Sequence, residues 1–144
     1  MNNEIGTCSI DKADVIKTFE REKTLVLATC ADGRVTIRTM SHVSDGPDIY
    51  FQTGADSLKM RQIRENPNVA MTVGPYDIEG TAAELGHPLS AENALFKRLI
   101  KEKHPDTFKR WSALEDEVVV KVTVRSVRQW KYVDGKPFIA EGEF

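Results

Sequence analysis

FQTGADSLKMRQIRENP, running from Phe51 to Pro67, is the stretch around which this chain is organised. It begins as the end of a strand. Ile49 and Phe51 alternate with Tyr50 and Gln52, the two-residue period of a strand with unlike faces. Gly54 permits a sharp turn, and Asp56 or Ser57 can cap a helix. Pro67 drives Asn66 out of helical dihedrals and ends that helix. Thr53, Ser57 and Lys59 therefore gather at a helix N-terminus, where free backbone N–H groups and the helix dipole attract anions. Two hydroxyls and a cation there point to a phosphate site, and other parts of the chain must supply its remaining walls.

Upstream, TLVLATC (Thr24–Cys30) is apolar on both faces and reads as a central strand buried on two sides. Ala31–Arg34 carries the Asp-Gly signal of a hairpin turn. Val35–Val43 alternates, with Val35 and Ile37 on one face and Thr36, Arg38 and Met40 on the other. After a turn at Ser44–Pro47, Asp48–Thr53 forms a third strand. If it pairs with the second as a hairpin, Arg38 comes near Gln52 and Thr53. The guanidinium fork, the ammonium of Lys59 and the hydroxyls then suit phosphate oxygens. Taken singly, Arg38 reads as a solvated strand residue, Ser57 as a helix cap and Lys59 as a surface charge; their order along the chain makes the site.

Val69, Met71 and Val73 mark a fourth strand and Ile78–Leu85 a fifth, in which Gly80 signals a bend, a bulge or a close approach. Ser9–Glu20 and Ser90–Lys103 read as amphipathic helices, and Thr107–Leu114 as a weaker helical or irregular link. Glu117–Val124 and Val127–Tyr132 read as the last two strands, with Arg128, Trp130 and Tyr132 on one face. Residues 1–8 and 138–144 have no pattern and read as loose ends. Six or more short strands with few helices between them imply a mainly β domain over residues 1–144, an antiparallel six-stranded barrel with helices at its ends.

The 144 residues suffice for one domain with a real core, and the formal net charge of −2 argues against non-specific nucleic-acid binding. No apolar run is long enough for a bilayer, and Met1–Glu4 does not open like a signal peptide, so a cytoplasmic setting is expected. Cys8 and Cys30 are too few for a disulfide framework. His42, His87 and His104 lie on different elements without metal-ligand spacing. Ser41 and His42 alternate faces and lack a placed carboxylate, which argues against a nucleophile–base pair. Met40, Met60 and Met71 read as core fillers.

VTIRTMSHVSDGPDIYFQTGADSLKMRQIRENPNVAMTV (35–73), IEGTAAEL (78–85) and VVVKVTVRSVRQWKYVDGKP (118–137) together resemble the pyridoxamine 5′-phosphate oxidase-like flavoproteins. The resemblance runs from about Thr24 to about Pro137 and is most specific at Ser57-x-Lys59, Gln62-Ile63 and Asn66-Pro67. It implies the FMN-binding split barrel and a homodimer with an FMN in each of two clefts between subunits. It also implies that Arg38, Ser57 and Lys59 hold the FMN phosphate with Thr53 beside them. The stretches Thr36–Met40, Ile37 included, and Tyr50–Gln52 would line the flavin ring, and Trp130 would cover the partner's cleft. Two departures stand out. Leu58 replaces the second basic residue that the vitamin B6 oxidases proper carry between Ser and Lys, and residues 136–144 contain no arginine. The resemblance thus implies flavin binding rather than vitamer oxidation. The expected function is a small FMN-dependent oxidoreductase with a small-molecule redox substrate and NAD(P)H as a candidate electron donor. The alternatives are a flavin-binding, storage or redox-sensing protein without turnover, or a relative that binds F420 or haem.

Overall fold

The structure, a computed structural model, describes residues 4–144. In chain order the elements are β1 (Gly6–Ser9), α1 (Lys12–Arg21), β2 (Thr24–Ala31), β3 (Arg34–Ser41), β4 (Val43–Asp45), β5 (Asp48–Gly54), α2 (Leu58–Glu65), β6 (Asn68–Val73) and β7 (Tyr76–Glu84). After a single 3-10 turn come α3 (Ala94–Lys103), α4 (Pro105–Trp111), β8 (Glu117–Val133) and β9 (Lys136–Glu143). Among the described residues no helix is long and apolar enough to cross a membrane.

The strands form one nine-stranded sheet that curls into a split barrel. All its pairings are antiparallel except β1 with β9. β8 ties the barrel together. Its 17 residues pair first with β5, then with β7, and finally with β9. Leu27, Phe51, Ile78 and Val122 fill the interior, and Phe19 of α1 and Met60 of α2 join the same core. α1 is held at its start by Asp11, whose Oδ1 accepts from the Asp14 N–H at 3.1 Å, and it buries Val15, Thr18 and Phe19 on one face. A second apolar cluster, Val43, Tyr50, Val119, Phe96 and Ile100, seats α3 against β4, β5 and β8.

The chain splits between β3 and β5. β3 pairs with β2 throughout, from Thr24 opposite Ser41 to Ala31 opposite Arg34. One residue later the chain changes partner, and β4 pairs with β5, Val43 opposite Tyr50. The expected hairpin over Val35–Val43 therefore closes only at its far end. Stepping its register back would set Ser41 against Gln52 and Met40 against Thr53; instead those residues face each other across a gap.

Four expectations are corrected. The sheet has nine strands and one parallel pair rather than six antiparallel strands. Residues 6–8 and 138–143 are not loose ends, because β9 lies between β1 and β8, with Ala140 fully buried. The break between Val124 and Val127 is a bulge inside β8, not a strand end. β2 buries Leu25, Leu27 and Thr29 inward, but its other face, also apolar, looks outward.

Gly80 lies at that bulge. A Cβ there would stand 2.6 Å from Val122 Cγ1 and 2.9 Å from the Thr123 carbonyl oxygen. No side chain fits, which accounts for the glycine inside β7.

Candidate functional site

α2 begins where β5 ends, and the polar groups of the site meet beneath it. Ser57 is the N-cap; its Oγ accepts from the Met60 N–H at 3.4 Å. The Ser57 N–H is spent on the Gly54 carbonyl at 3.1 Å. Ahead of the first intrahelical bond, the N–H groups of Leu58 and Lys59 are the two that neither the cap nor the turn consumes. Lys59 Nζ donates to Thr53 Oγ1 at 2.7 Å and keeps two further donors. Burial lowers the Lys59 pKa, and Arg38 lowers it further, while Glu117 raises it. The two cations therefore share one electrostatic neighbourhood, with a carboxylate as partial counter-charge.

Arg38 comes from the inner face of β3. Thr29 and Thr36 sit directly opposite each other in the β2–β3 ladder, and Arg38, opposite Leu27, is the next inward position. Arg38 Nη1 donates to the Leu27 carbonyl at 3.3 Å and to Thr29 Oγ1 at 2.8 Å, and Nη2 donates to Thr36 Oγ1. A guanidinium has five N–H donors. Among the described residues nothing engages the remaining ones, Nε–H and one Nη2–H. Those two lie side by side and suit two oxygens of one oxyanion. Burial lowers the Arg38 pKa, yet an arginine keeps its charge across the working pH range.

The gap between β3 and β5 opens as a cleft of about 470 Å³, lined by Thr39, Met40, Ser41, Gln52, Thr53 and Gly54, with Trp111, Leu114 and Glu117 on its other side. Its floor is polar and fixed. Ser112 Oγ–H donates to Gln52 Oε1 at 2.6 Å, and Gln52 Nε2 donates to Glu117 Oε1 at 2.8 Å. The Gln52 side chain is therefore committed to its own neighbours at both ends.

Of the residues singled out from sequence, Gln52 and Thr53 line this cleft. Lys59 is joined to it by its bond to Thr53. Arg38 lies within electrostatic reach of Lys59 and holds Thr36, and Ser57 caps the helix that carries Lys59. The route differs from the expected hairpin, since Arg38 is placed by β2 and α2 rather than by pairing with β5. Two residues lie elsewhere. The Ile37 side chain is on the outer face of β3, 69 % exposed. Trp130 is 48 % exposed on the β8–β9 hairpin, edge-on to Tyr132 at 6.0 Å between centroids. Sequence reasoning passed over Thr29, Gln62, Ser112 and Glu117. Thr29 had a signal, a hydroxyl on the buried face of an apolar strand, and Gln62 stood in the quoted motif without a role. Ser112 and Glu117 gave none, because their partner Gln52 is 60 or more residues away.

On the outer face of the sheet, a broader concavity of about 810 Å³ is lined by Val26, Ala28 and Ile37 together with acidic groups that include Asp77 and Glu79. It lies across the sheet from Arg38, whose chain neighbour Ile37 lines it.

Comparison with known proteins agrees with this architecture. General stress protein 26 of Bacillus subtilis (strain 168) is 36 % identical over 69 residues, so the match spans about half of each chain, 48 % of this one and 49 % of the relative. The haem storage protein HutZ of Vibrio cholerae superposes with a TM-score of 0.67 at 16 % identity, covering 78 % of this chain and 89 % of its own. A FAD-binding protein of Mesorhizobium loti superposes with a TM-score of 0.65 at 15 % identity, covering 82 % and 92 %. Those two likenesses establish a shared fold. The pyridoxamine 5′-phosphate oxidase family model matches residues 13–131, a span that takes in β2 through β7, all but the end of β8 and every cation of the site, and the chain belongs to that family.

Proposed function

We propose that this chain binds FMN and serves as a flavin-dependent oxidoreductase acting on a small-molecule substrate. The observation that carries the reading is the set of unspent donors under α2. Arg38 has a free pair of N–H groups, Lys59 has two ammonium hydrogens, Ser57 has its O–H, and the helix start has two backbone N–H groups. A phosphomonoester dianion can use all of them, and the cleft between β3 and β5 opens beside Thr53 for a flat ring system. β3 pairs with β2 alone, so its other edge offers backbone donors and acceptors to that ring. When bound, FMN supplies hydride acceptance and delivery. The chain's part is to anchor the phosphate, shape the ring's slot and keep water from one face. None of the three histidines lines the cleft, which favours a flavin over haem. Leu58 leaves a vitamer phosphate without a second basic residue between Ser57 and Lys59.

The same reading includes a homodimer whose outer faces bury one another, and a cytoplasmic setting that suits the two free thiols, Cys8 and Cys30.

The test is an absorbance spectrum of the purified protein, mass spectrometry of the released cofactor, and FMN titrations. Arg38→Ala and Lys59→Ala should each weaken FMN binding about 10- to 100-fold, the loss expected for a charge-assisted hydrogen bond. Full FMN retention in both variants sinks the site. Bleaching of the bound flavin by NADH or NADPH supports turnover. No bleaching with either confines the reading to flavin binding or to another donor.

A further inference from the structure

Gln62 is 4 % exposed on α2, and both polar atoms of its amide have partners. Oε1 accepts from Thr29 Oγ1 at 2.6 Å and from Thr36 Oγ1 at 2.7 Å, while Nε2 donates to the Arg34 carbonyl at 3.0 Å. The amide cannot be turned over. Flipped, it would set its carbonyl against the Arg34 carbonyl and its NH₂ against both hydroxyls. Each threonine has one hydroxyl proton. Both protons go to Gln62 Oε1, so both threonines must present lone pairs elsewhere, and Arg38 receives them. Their oxygens stand 3.3 Å apart, a spacing that fits adjacent hydrogens on Nη1 and Nη2.

From this proton order we infer that Gln62, acting through Thr29 and Thr36, is a positioning residue for Arg38. It fixes which guanidinium edge is consumed inside the barrel and which is left for the phosphate. Without the Gln62 carbonyl the hydroxyl protons lose their acceptor and can turn toward Arg38. The two threonines then no longer hold it as acceptors, and the outward pair of N–H groups loses its aim. The inference rests on the FMN reading and deepens it. It concerns selection of a phosphorylated flavin over one without phosphate, because Gln62 does not line the ring's cleft.

The experiment compares FMN and riboflavin dissociation constants in wild type, Gln62→Met, Thr29→Val, Thr29→Ser, Arg38→Ala and the Arg38→Ala/Gln62→Met double variant. Each protein is first checked for folding by circular dichroism. Gln62→Met and Thr29→Val should each lower FMN affinity about tenfold with riboflavin affinity unchanged, and Thr29→Ser, which keeps the hydroxyl, should stay near wild type. Gln62→Met should add nothing once Arg38 is gone. A general structural role would instead lower FMN and riboflavin affinity together, or make the two substitutions additive, and either result overturns the inference. If Gln62→Met fails to fold, the Thr29→Val and Thr29→Ser pair decides the matter alone. The two levels separate cleanly. If Arg38→Ala leaves the preference for FMN over riboflavin intact, the phosphate site itself is wrong. If Arg38→Ala abolishes that preference while Gln62→Met and Thr29→Val do not alter it, only the positioning role falls.

Discussion

His42 occupies the residue between β3 and β4, where the chain changes partners, and it is fully buried. Its Nε2 lies 3.0 Å from the Phe19 carbonyl in the last turn of α1, and Lys103 Nζ donates to that same oxygen at 3.0 Å. His104 Nε2 meets the His42 carbonyl at 2.9 Å. With Nε2–H donated to Phe19, Nδ1 is a bare acceptor without a partner among the described residues, so the ring is neutral. Burial, then the Lys103 charge and more weakly His104, lower the His42 pKa from 6.5 to about 4, and the bond to Phe19 offsets this only in part. Burial likewise brings Lys103 down to about 8 against the pull of Glu20 and Glu22, so it is still charged where His42 would titrate. The unfolded chain takes a proton near pH 6.5 that the folded chain refuses until about pH 4. Stability therefore rises with pH across that window and is lost as pH falls through it, by about 3 kcal/mol at most. Urea melts of wild type and His42→Leu between pH 4 and 7 should show a flatter pH dependence in the variant; equal slopes would refute the assignment. None of this cluster was legible from sequence. His42 and His104 are 62 positions apart, and only the packing of α3 against β4 brings them together.

Among the elements, β7 carries the sharpest steric constraint. Its register against β8 slips between Glu79 and Gly80, and Arg125 is the extra residue on the β8 side. With Val122 and the Thr123 carbonyl so close to the missing Cβ, Gly80→Ala should destabilise the fold by about 1–3 kcal/mol, read as a lower urea midpoint at unchanged slope. An unchanged midpoint would mean that the bulge yields easily. This glycine was legible because its signal is local, an anomaly inside an alternating run. The same holds for α2, whose cap and stop are written within ten residues of each other: Ser57 accepts the Met60 N–H, and the helix ends at Glu65, before Asn66 and Pro67. β1 was illegible for the opposite reason: Gly6–Ser9 has little pattern alone and becomes a strand through a partner more than 130 residues distant. β9 pairs locally with β8 across the Asp134–Gly135 turn, but Phe138–Glu141 has little alternation of its own to announce a strand. β8 was read as two strands because Arg125 and Ser126 interrupt its β-branched run, yet a bulge absorbs that interruption without ending the strand. In the site, residue types and order were legible at Arg38, Ser57 and Lys59, whereas the support under Arg38 needed the β2–β3 register and the placing of α2 across it.

For the whole molecule, the apolar outer face is the feature a lone subunit leaves without cover. TLVLATC reads as a strand apolar on both sides, and it is, but the barrel covers only one of them. Val26, Val35 and Ile37 remain 36 %, 65 % and 69 % exposed on adjoining strands. Val26 and Ile37 also help line the broad concavity on that face. Contiguous apolar surface of this kind marks an interface. A second copy of the chain is the occupant proposed here, because a two-fold axis lets one patch cover its own equivalent. The concavity also contains Asp77, Glu79, Glu141 and Glu143, against which stands one cation, Arg128, already facing Glu141 at 3.7 Å. A carboxylate introduced among them would be repelled as well as desolvated, so Ile37→Glu should be more disruptive than a merely polar change. Wild type should sediment as a dimer at micromolar concentration and Ile37→Glu as a monomer that keeps its secondary structure. The Arg38 network faces inward and should survive in that monomer. Its residual FMN binding should therefore still exceed its riboflavin binding, even as the affinity for both falls with the loss of the partner's cover. A wild-type monomer, or an Ile37→Glu dimer, would show that the outer face serves some other contact.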